Sequence, residues 1–174
     1  MSMNKYYLRL GVVTVFIFMN SAFAQVCTRD NTPQSIAPGN FELNANNSGG
    51  AEIQDKISGL TWKRCVYGQA WNGISCTGSP IKVTWQEALQ LAVPDGWRIP
   101  TVKELSLIID HQCIAPPLHE TLFPNAPASE DSGLWSSTPH ISSATETHAW
   151  WAELLFGTMN YRPVTQLNFA LFVR

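Results

Sequence analysis

The sequence predicts one exported domain of the α+β class, in which two short helices pack on antiparallel strands joined by long loops. Two Thr-x-x-Glu capping boxes, each followed by a short amphipathic stretch, indicate the helices. Several short segments of alternating apolar and polar residues, most of them late in the chain, indicate the strands. Helices and strands that are segregated along a chain are typical of α+β proteins.

Residues 1–24 have the pattern of a secretory signal peptide. Lys5 and Arg9 make its start positive, an apolar run from Leu10 to Met19 follows, and Ala22-Phe23-Ala24 forms an A-x-A cleavage site. The apolar run is too short for a stable membrane span. Removal of this segment leaves 174 − 24 = 150 residues, enough for one domain with a proper core.

The charge of the mature chain restricts its partners. Without Lys5 and Arg9 the chain has 11 − 2 = 9 basic and 13 acidic side chains, a net charge of −4. This balance argues against nucleic acid or an anionic membrane as the main partner. Because no second apolar stretch approaches membrane-spanning length, we expect no membrane span in the mature chain.

All four cysteines, Cys27, Cys65, Cys76 and Cys113, lie in the exported part of the chain. An even count in an oxidising compartment predicts two disulfides, for which three pairings are possible. We favour Cys65 with Cys76, because the short Gly-rich segment between them can fold back, and therefore Cys27 with Cys113. The chain contains no C-x-x-C pair that would favour a metal site.

The first half of the mature chain contains loops, a strand and the two helices. Residues 25–50, rich in Asn, Pro, Ser and Gly, are predicted to be a flexible N-terminal segment with a possible short strand near Phe41. Residues 60–67 alternate as a strand does, and residues 68–80 form a loop. The expected buried positions are Leu60, Trp62 and Val66 in the strand, Trp85, Ala88, Leu89 and Ala92 in the first helix, and Val102, Leu105, Ile108 and Ile109 in the second.

The second half is predicted to be irregular and then mainly β. Four prolines between residues 116 and 127 exclude helix interiors and central strands there. Residues 134–137 form a short strand, residues 139–147 an exposed polar loop, and residues 148–156 a second strand. The last predicted strand is residues 167–173, with one face composed of Leu167, Phe169, Leu171 and Val173.

The stretch DGWRIPTVKEL, residues 95–105, joins the two predicted helices. Arg98 could be catalytic or bind an anion, but its place beside an expected core residue, Trp97, favours a structural role. We expect its guanidinium to pair with Asp95, Glu104 or Asp110, and removal of a buried partner would cost about 3–5 kcal/mol. The residues assigned to structural roles are Trp62, Trp97, Arg98 and Glu104.

A series of short motifs occurs in order from about residue 40 to the end: GLTWKRC, CTG, TWQEAL, GWRIPTVKEL, FP, LWSST and FVR. Together they resemble the domain at the C-terminus of the Legionella collagen-like adhesin, a family formerly described as a domain of unknown function. We assign residues 51–174 to this domain. The resemblance implies a C-type-lectin-like fold used as an exported binding domain, which in the adhesin recognises sulfated glycosaminoglycans. No Gly-X-Y stalk precedes the domain here, so trimerisation through a stalk is not implied.

If the protein binds a ligand, we expect the contacts to come from the loops after residue 130. Trp150 and Trp151 are neighbours in a predicted strand, so one must point away from the other. An exposed indole there would suit stacking on a sugar; the competing interpretation is that it packs beneath the polar loop. The candidate ligand-binding residues are Trp135, His140, His148, Trp151, Tyr161 and Arg162.

Catalytic and metal-binding patterns are absent from the sequence. The capping roles of Glu87 and Glu104 leave no clear carboxylate pair for glycoside hydrolysis. Ser136 lies in no G-x-S-x-G motif, and the histidines do not form an H-E-x-x-H motif. We therefore expect no catalytic residues, no metal and no cofactor.

These observations predict a non-catalytic binding module that is secreted, periplasmic or at the cell surface. Its expected partner is a glycan, which could be a sulfated polysaccharide, or an envelope or extracellular protein. The alternative is an accessory structural subunit of a surface or pilus-like assembly, and a hydrolase or oxidase is the least favoured function.

Overall fold

The computed structural model describes residues 25–27, 35–43, 45–91, 94–129, 131–141 and 147–174. The predicted signal peptide lies outside these ranges, as do Ala92 of the first predicted helix and residues 142–146 of the predicted polar loop. No helix in the described ranges has the length and apolar character needed to cross a membrane.

The first sheet has three antiparallel strands, β1 (Phe41–Leu43), β2 (Glu52–Asp55) and β3 (Thr61–Lys63), in the order β1-β2-β3. Ile53 and Trp62 lie opposite each other in β2 and β3, and both are fully buried. The sequence predicts a flexible segment over residues 25–50. In the described part of that segment β1 pairs with β2 and the side chains of Ile36 and Phe41 are buried, because their apolar surface has a core to pack against.

A two-stranded hairpin follows, formed by β4 (Ala70–Trp71) and β5 (Cys76–Thr77) within the region predicted as a loop. The Cys65–Cys76 disulfide closes this hairpin, and Cys27–Cys113 joins the N-terminal segment to the middle of the chain. Both predicted disulfide pairings are confirmed.

Both predicted capping boxes are present. At the start of helix α1 (Trp85–Gln90) the side chain of Thr84 accepts a hydrogen bond from the backbone N–H of Glu87. At the start of helix α2 (Val102–Ser106) the side chain of Thr101 accepts one from the backbone N–H of Glu104. In each box the Glu carboxylate accepts a hydrogen bond from the backbone N–H of the Thr. Both helices are shorter than predicted. Helix α1 has fewer than two turns, and Ala88 is its one buried residue. Leu89, which the sequence predicts to be buried, is 45% exposed.

The second sheet contains β6 (Gly133–Ile141), β7 (Thr147–Glu153) and β8 (Met159–Pro163), antiparallel in the order β6-β7-β8. The sequence predicts that β6 ends at Ser137, but the strand continues through Pro139. The pairing register shifts between Trp135 and Pro139, and a bulge on an edge strand is where a sheet tolerates proline. Strand β8 is not predicted from the sequence.

The final segment, residues 168–173, passes between the two sheets. It makes isolated bridges to Val83, Leu134, Trp62 and Arg98 rather than a continuous ladder. Its side chains alternate between two hydrophobic clusters, so both of its faces are buried and only Leu167, just before it, is exposed. Phe169, Leu171 and Val173 share one cluster as predicted, whereas Ala170 and Phe172 join the other.

Arg98 at the helix junction forms a bidentate ion pair with Glu104, with Nη1–Oε2 and Nη2–Oε1 distances of 2.8 and 2.6 Å. The pairing of Arg98 with Glu104, one of the three predicted partners, is confirmed, but the pair is only partly buried, since the side chain of Arg98 is 48% exposed and that of Glu104 is 18% exposed. The hydrogen bond from Arg98 lowers the pKa of Glu104 to about 2 although partial burial acts in the opposite direction. Trp62 and Trp97 are core residues, as predicted.

A candidate binding face on the C-terminal sheet

Strand β7 is the middle strand of the second sheet, so its side chains alternate between two covered or partly covered faces. Ala149 and Trp151 point towards the hydrophobic cluster that also contains Trp97 and Trp135. We call this side of the sheet the inner face. Trp150 points the other way and, with His140, His148 and Tyr161, forms what we call the outer face.

The pairing register brings the outer-face residues together. His140 of β6 lies directly opposite His148 of β7, and Trp150 of β7 lies directly opposite Tyr161 of β8. Residues that are directly opposite in antiparallel strands share a face of the sheet, with side chains close enough to interact. Four ring-bearing side chains from three strands therefore form one contiguous surface.

The rings contact one another in a defined geometry. The imidazole of His140 stacks on the ring of Tyr161 with a centroid separation of 3.9 Å and an interplanar angle of 3°. The Trp150 ring meets His140 and Tyr161 edge to face at 5.2 and 5.9 Å, and His148 meets Tyr161 edge to face at 5.7 Å. These are favourable aromatic geometries. The outer face is therefore an ordered platform.

The platform lies between the core and solvent. Ala152 and Met159, paired across β7 and β8, lie on the same side of the sheet as Trp150 and Tyr161, where they pack in or against the core. Tyr161 is 45% exposed, whereas His140, His148 and Trp150 are partly buried. Ile141, at the end of β6, is 91% exposed. The rings are thus supported by the core on one side and accessible to a ligand on the other.

Three of the six predicted ligand-binding residues lie elsewhere. Trp135 is fully buried and its indole N–H donates to the carbonyl of Val83 at 2.9 Å. Trp151 is 5% exposed, and the guanidinium of Arg162 lies 3.7 Å above its ring. These three side chains belong to the inner face, because the register places them on the opposite side of the sheet from Tyr161.

Arg162 has a structural role on the inner face. Its Nη1 donates to Oδ1 of the buried Asn168 at 2.9 Å, and its Nη2 lies 3.6 Å from Oδ1 of the exposed Asp131. Burial lowers the pKa of Arg162, in part offset by Asp131. An arginine held over an indole and bound to a buried amide positions β8 against the core rather than facing a ligand.

The sequence predicts three members of the outer face, His140, His148 and Tyr161, but not the fourth, Trp150. Trp150 and Trp151 are both apolar, so the alternation of β7 gives two possible orientations. The partner strand β8 does not resolve the choice, because the polar and exposed Asn160 lies opposite the buried Trp151 and Tyr161 lies opposite Trp150.

The chemistry of the outer face suits recognition. The four rings offer flat surfaces for stacking, and the phenol, the imidazoles and the indole can form hydrogen bonds. In the described ranges, no three His, Cys, Asp or Glu side chains are placed to hold one metal ion.

Comparisons with known proteins identify the domain. No curated protein and no solved structure matches the chain. The family model described as the Lcl C-terminal domain matches residues 51–174, which is more than half of the chain and includes every strand from β2 onward. The protein therefore belongs to the Lcl C-terminal domain family.

Proposed function

We propose that the protein is an exported, non-catalytic binding module that recognises a glycan through the outer face of its second sheet. The observation that carries this proposal is the platform of His140, His148, Trp150 and Tyr161, ordered by ring contacts and partly open to solvent. Aromatic groups that are both rigid and amphipathic are favoured at binding surfaces because they lose little conformational entropy on binding.

Two further features support this proposal. Both disulfides join residues of the mature chain, as is typical of proteins in an oxidising compartment outside the cytosol. The combination of two short capped helices, antiparallel sheets and long loops is compatible with the C-type-lectin-like fold that the resemblance to the Legionella adhesin implies. That resemblance also makes sulfated polysaccharides the first glycans to test.

A protein partner is the second candidate. Strand β8 is an edge strand of its sheet, and Ile141 is an almost fully exposed apolar side chain at the same end of the molecule as the rings. Edge strands and exposed apolar side chains are common sites of protein association. These features would suit an accessory subunit of a surface or pilus-like assembly.

The glycan proposal is tested by screening the mature protein on a glycan array at low and moderate salt, with and without a chelator. Tyr161→Ala and Trp150→Ala should each reduce the signal of a bound glycan by about tenfold or more, since each removes a stacking surface worth at least ~1–2 kcal/mol. Phe156→Ala is the matched control, because Phe156 is an exposed aromatic residue outside the platform.

Two results would contradict the glycan proposal. One is a flat signal against every glycan, sulfated ones included. The other is glycan binding that Tyr161→Ala and Phe156→Ala reduce equally. A pull-down with the tagged protein tests the assembly role instead. That role would be supported if the wild type recovers an envelope protein in stoichiometric amount and Ile141→Ser does not.

A further inference from the structure

A concave surface lies beside the Cys65–Cys76 hairpin and shares no residue with the outer face. It is an open cleft of about 480 Å³. Small-molecule sites in proteins typically enclose roughly 300–1,000 Å³ and have mainly apolar walls with a few polar groups. The residues that define its character are Lys63, Cys65, Val66, Tyr67, Trp71 and Phe172.

Three aromatic rings form the walls of the cleft. Tyr67 meets Phe172 edge to face at 6.5 Å. Trp71 is fixed at two points, because its indole N–H donates to the carbonyl of Gly49 at 2.9 Å and the guanidinium of Arg64 lies 4.1 Å from the centroid of its ring. A wall that is held in place without a ligand reduces the entropy lost on binding.

Arg64 is itself part of the scaffold. It is buried, and it donates to the carbonyl oxygens of Gly50 and Leu122, both at 2.8 Å. Burial lowers its pKa, but an arginine stays protonated in proteins. A fixed positive charge therefore lies directly behind the Trp71 wall.

The cleft has a positive electrostatic character. Lys63 lines it, and no acidic side chain does so in the part of the chain that the structure describes. Glu52 pairs with Lys63 at 2.8 Å and with Arg174 at 3.0 Å, so the local balance of Lys63, Arg64, Arg174 and Glu52 is 3 − 1 = +2. The Nζ of Lys63 also lies 4.3 Å from the ring centroid of Trp97, which restrains the ammonium group.

We propose that this cleft binds a small aromatic carboxylate, with the ring between the aromatic walls and the carboxylate at Lys63. Apart from Lys63, the polar side chains that line the cleft are Tyr67 and Gln69, too few for the hydroxyl groups of a sugar ring, each of which costs free energy if it is buried without a hydrogen bond. An organic cation would be repelled by Lys63 and Arg64. An apolar ring with one negative charge matches both the walls and the charge.

The proposal is tested by NMR titration of the ¹⁵N-labelled mature protein with benzoate, its neutral isostere benzamide, and methyl β-glucopyranoside. The indole N–H of Trp71 is the reporter. Benzoate should shift this signal with a dissociation constant in the millimolar range and bind about fivefold more tightly than benzamide, since a partly exposed charge contributes ~1 kcal/mol. The glucoside should leave the signal unchanged.

Variants at Lys63 separate the charge from the shape of the cleft. Lys63→Met should remove the preference for benzoate over benzamide, and Lys63→Arg should retain it. Trp150→Ala on the outer face is the matched control and should alter neither titration. If Lys63→Met does not fold, the ionic-strength dependence of the wild type replaces it, because salt should weaken benzoate binding and leave benzamide binding unchanged.

The proposal is wrong if benzoate binds no more tightly than benzamide, if the preference persists in Lys63→Met, or if the glucoside binds more tightly than benzoate. Shifts confined to the outer-face residues would likewise contradict it. These outcomes are independent of the glycan array, because the two sites share no residue.

Discussion

Trp150 and Trp151 are adjacent in strand β7, yet they occupy opposite chemical environments. Trp151 lies beneath the guanidinium of Arg162 among buried side chains, whereas Trp150 meets the rings of His140 and Tyr161 on the partly exposed side of the sheet. The difference shows how adjacent residues of a single strand can be divided between a buried core and a partly exposed surface. Alternation of side chains lets one face be optimised for packing while the other stays available for a ligand.

The two faces also differ in how tightly they are packed. Gly133 lies against the indole of Trp151, and a β-carbon at Gly133 would be 1.8 Å from Cε3 of that ring. No comparable restriction is seen around Tyr161, which remains 45% exposed. The inner face should therefore respond to substitution mainly through stability, and the outer face mainly through binding.

The largest expected effect is that of Trp151→Ala. It should lower the free energy of unfolding by about 3–5 kcal/mol, because a buried indole is lost and leaves a cavity. Trp150→Ala should cost no more than ~1–2 kcal/mol, since its ring is only partly buried and loses mainly ring–ring contacts. Urea unfolding followed by far-UV circular dichroism measures both, and equal losses would contradict the division between the two faces.

Gly133→Ala should have the next largest effect. Its methyl group cannot be accommodated unless Trp151 moves, and overpacking of this kind typically costs about 1–3 kcal/mol. Gly39→Ala is the matched control, because a β-carbon there meets nothing within 4 Å, and it should change stability by no more than ~0.5 kcal/mol. Thermal unfolding compares the two, and a near-UV circular dichroism spectrum unchanged in Gly133→Ala would show that the indole has not been displaced.

The smallest expected effect concerns the ion pair and the capping box of helix α2. This helix packs against β6 and β7, and the N–H of Val102 donates to the hydroxyl of Thr138 at 3.1 Å. Glu104→Gln should lower the free energy of unfolding by about 1 kcal/mol at pH 7, because it weakens a partly exposed ion pair and a capping box. Because Arg98 is also partly exposed, Arg98→Ala should likewise lower the free energy of unfolding by about 1 kcal/mol.

The pH dependence of this effect has a defined sign. The folded-state pKa of Glu104 is lowered from its usual 4.5 to about 2, so the ionised carboxylate stabilises the fold above pH 4.5 and this contribution is lost as the pH falls towards 2. The difference in the free energy of unfolding between wild type and Glu104→Gln should therefore decrease as the pH falls from 4.5 towards 2. Glu87→Gln is the control, because Glu87 completes the same capping box in α1, and the pKa of its exposed carboxylate is lowered by hydrogen bonds from Thr84 rather than from an arginine. A difference in the free energy of unfolding that stays constant down to pH 2 would contradict the stabilising role of the ionised Glu104 carboxylate.

Much of the local structure could be predicted from the sequence because its causes are local. A threonine followed three residues later by glutamate satisfies helix N–H groups whatever surrounds it, and both capping boxes are in place. The Cys65–Cys76 pairing follows from a short, flexible connection, and Cys27–Cys113 follows by elimination.

Other features depend on contacts between segments that are distant in the sequence. Strand β8, with the sequence MNYRP, has no apolar alternation, and its pairing with β7 places it in the sheet. Pro139 suggests the end of a strand, and only the register shift opposite β7 lets β6 continue past it. The position of the candidate ligand-binding residues Trp135, Trp151 and Arg162 on the inner face depends on the pairing register in the same way.

The sequence by itself determined the α+β class, the capped helices, the disulfide pairs and the family, because each depends on short motifs or on their order along the chain. Only the tertiary structure decided which side of each strand is covered. When apolar residues occupy both sides of a strand, as in β7 and in residues 168–173, alternation does not distinguish inside from outside. The choice is made by what packs against each side, and it places Trp151 in the core and Trp150 on the outer face.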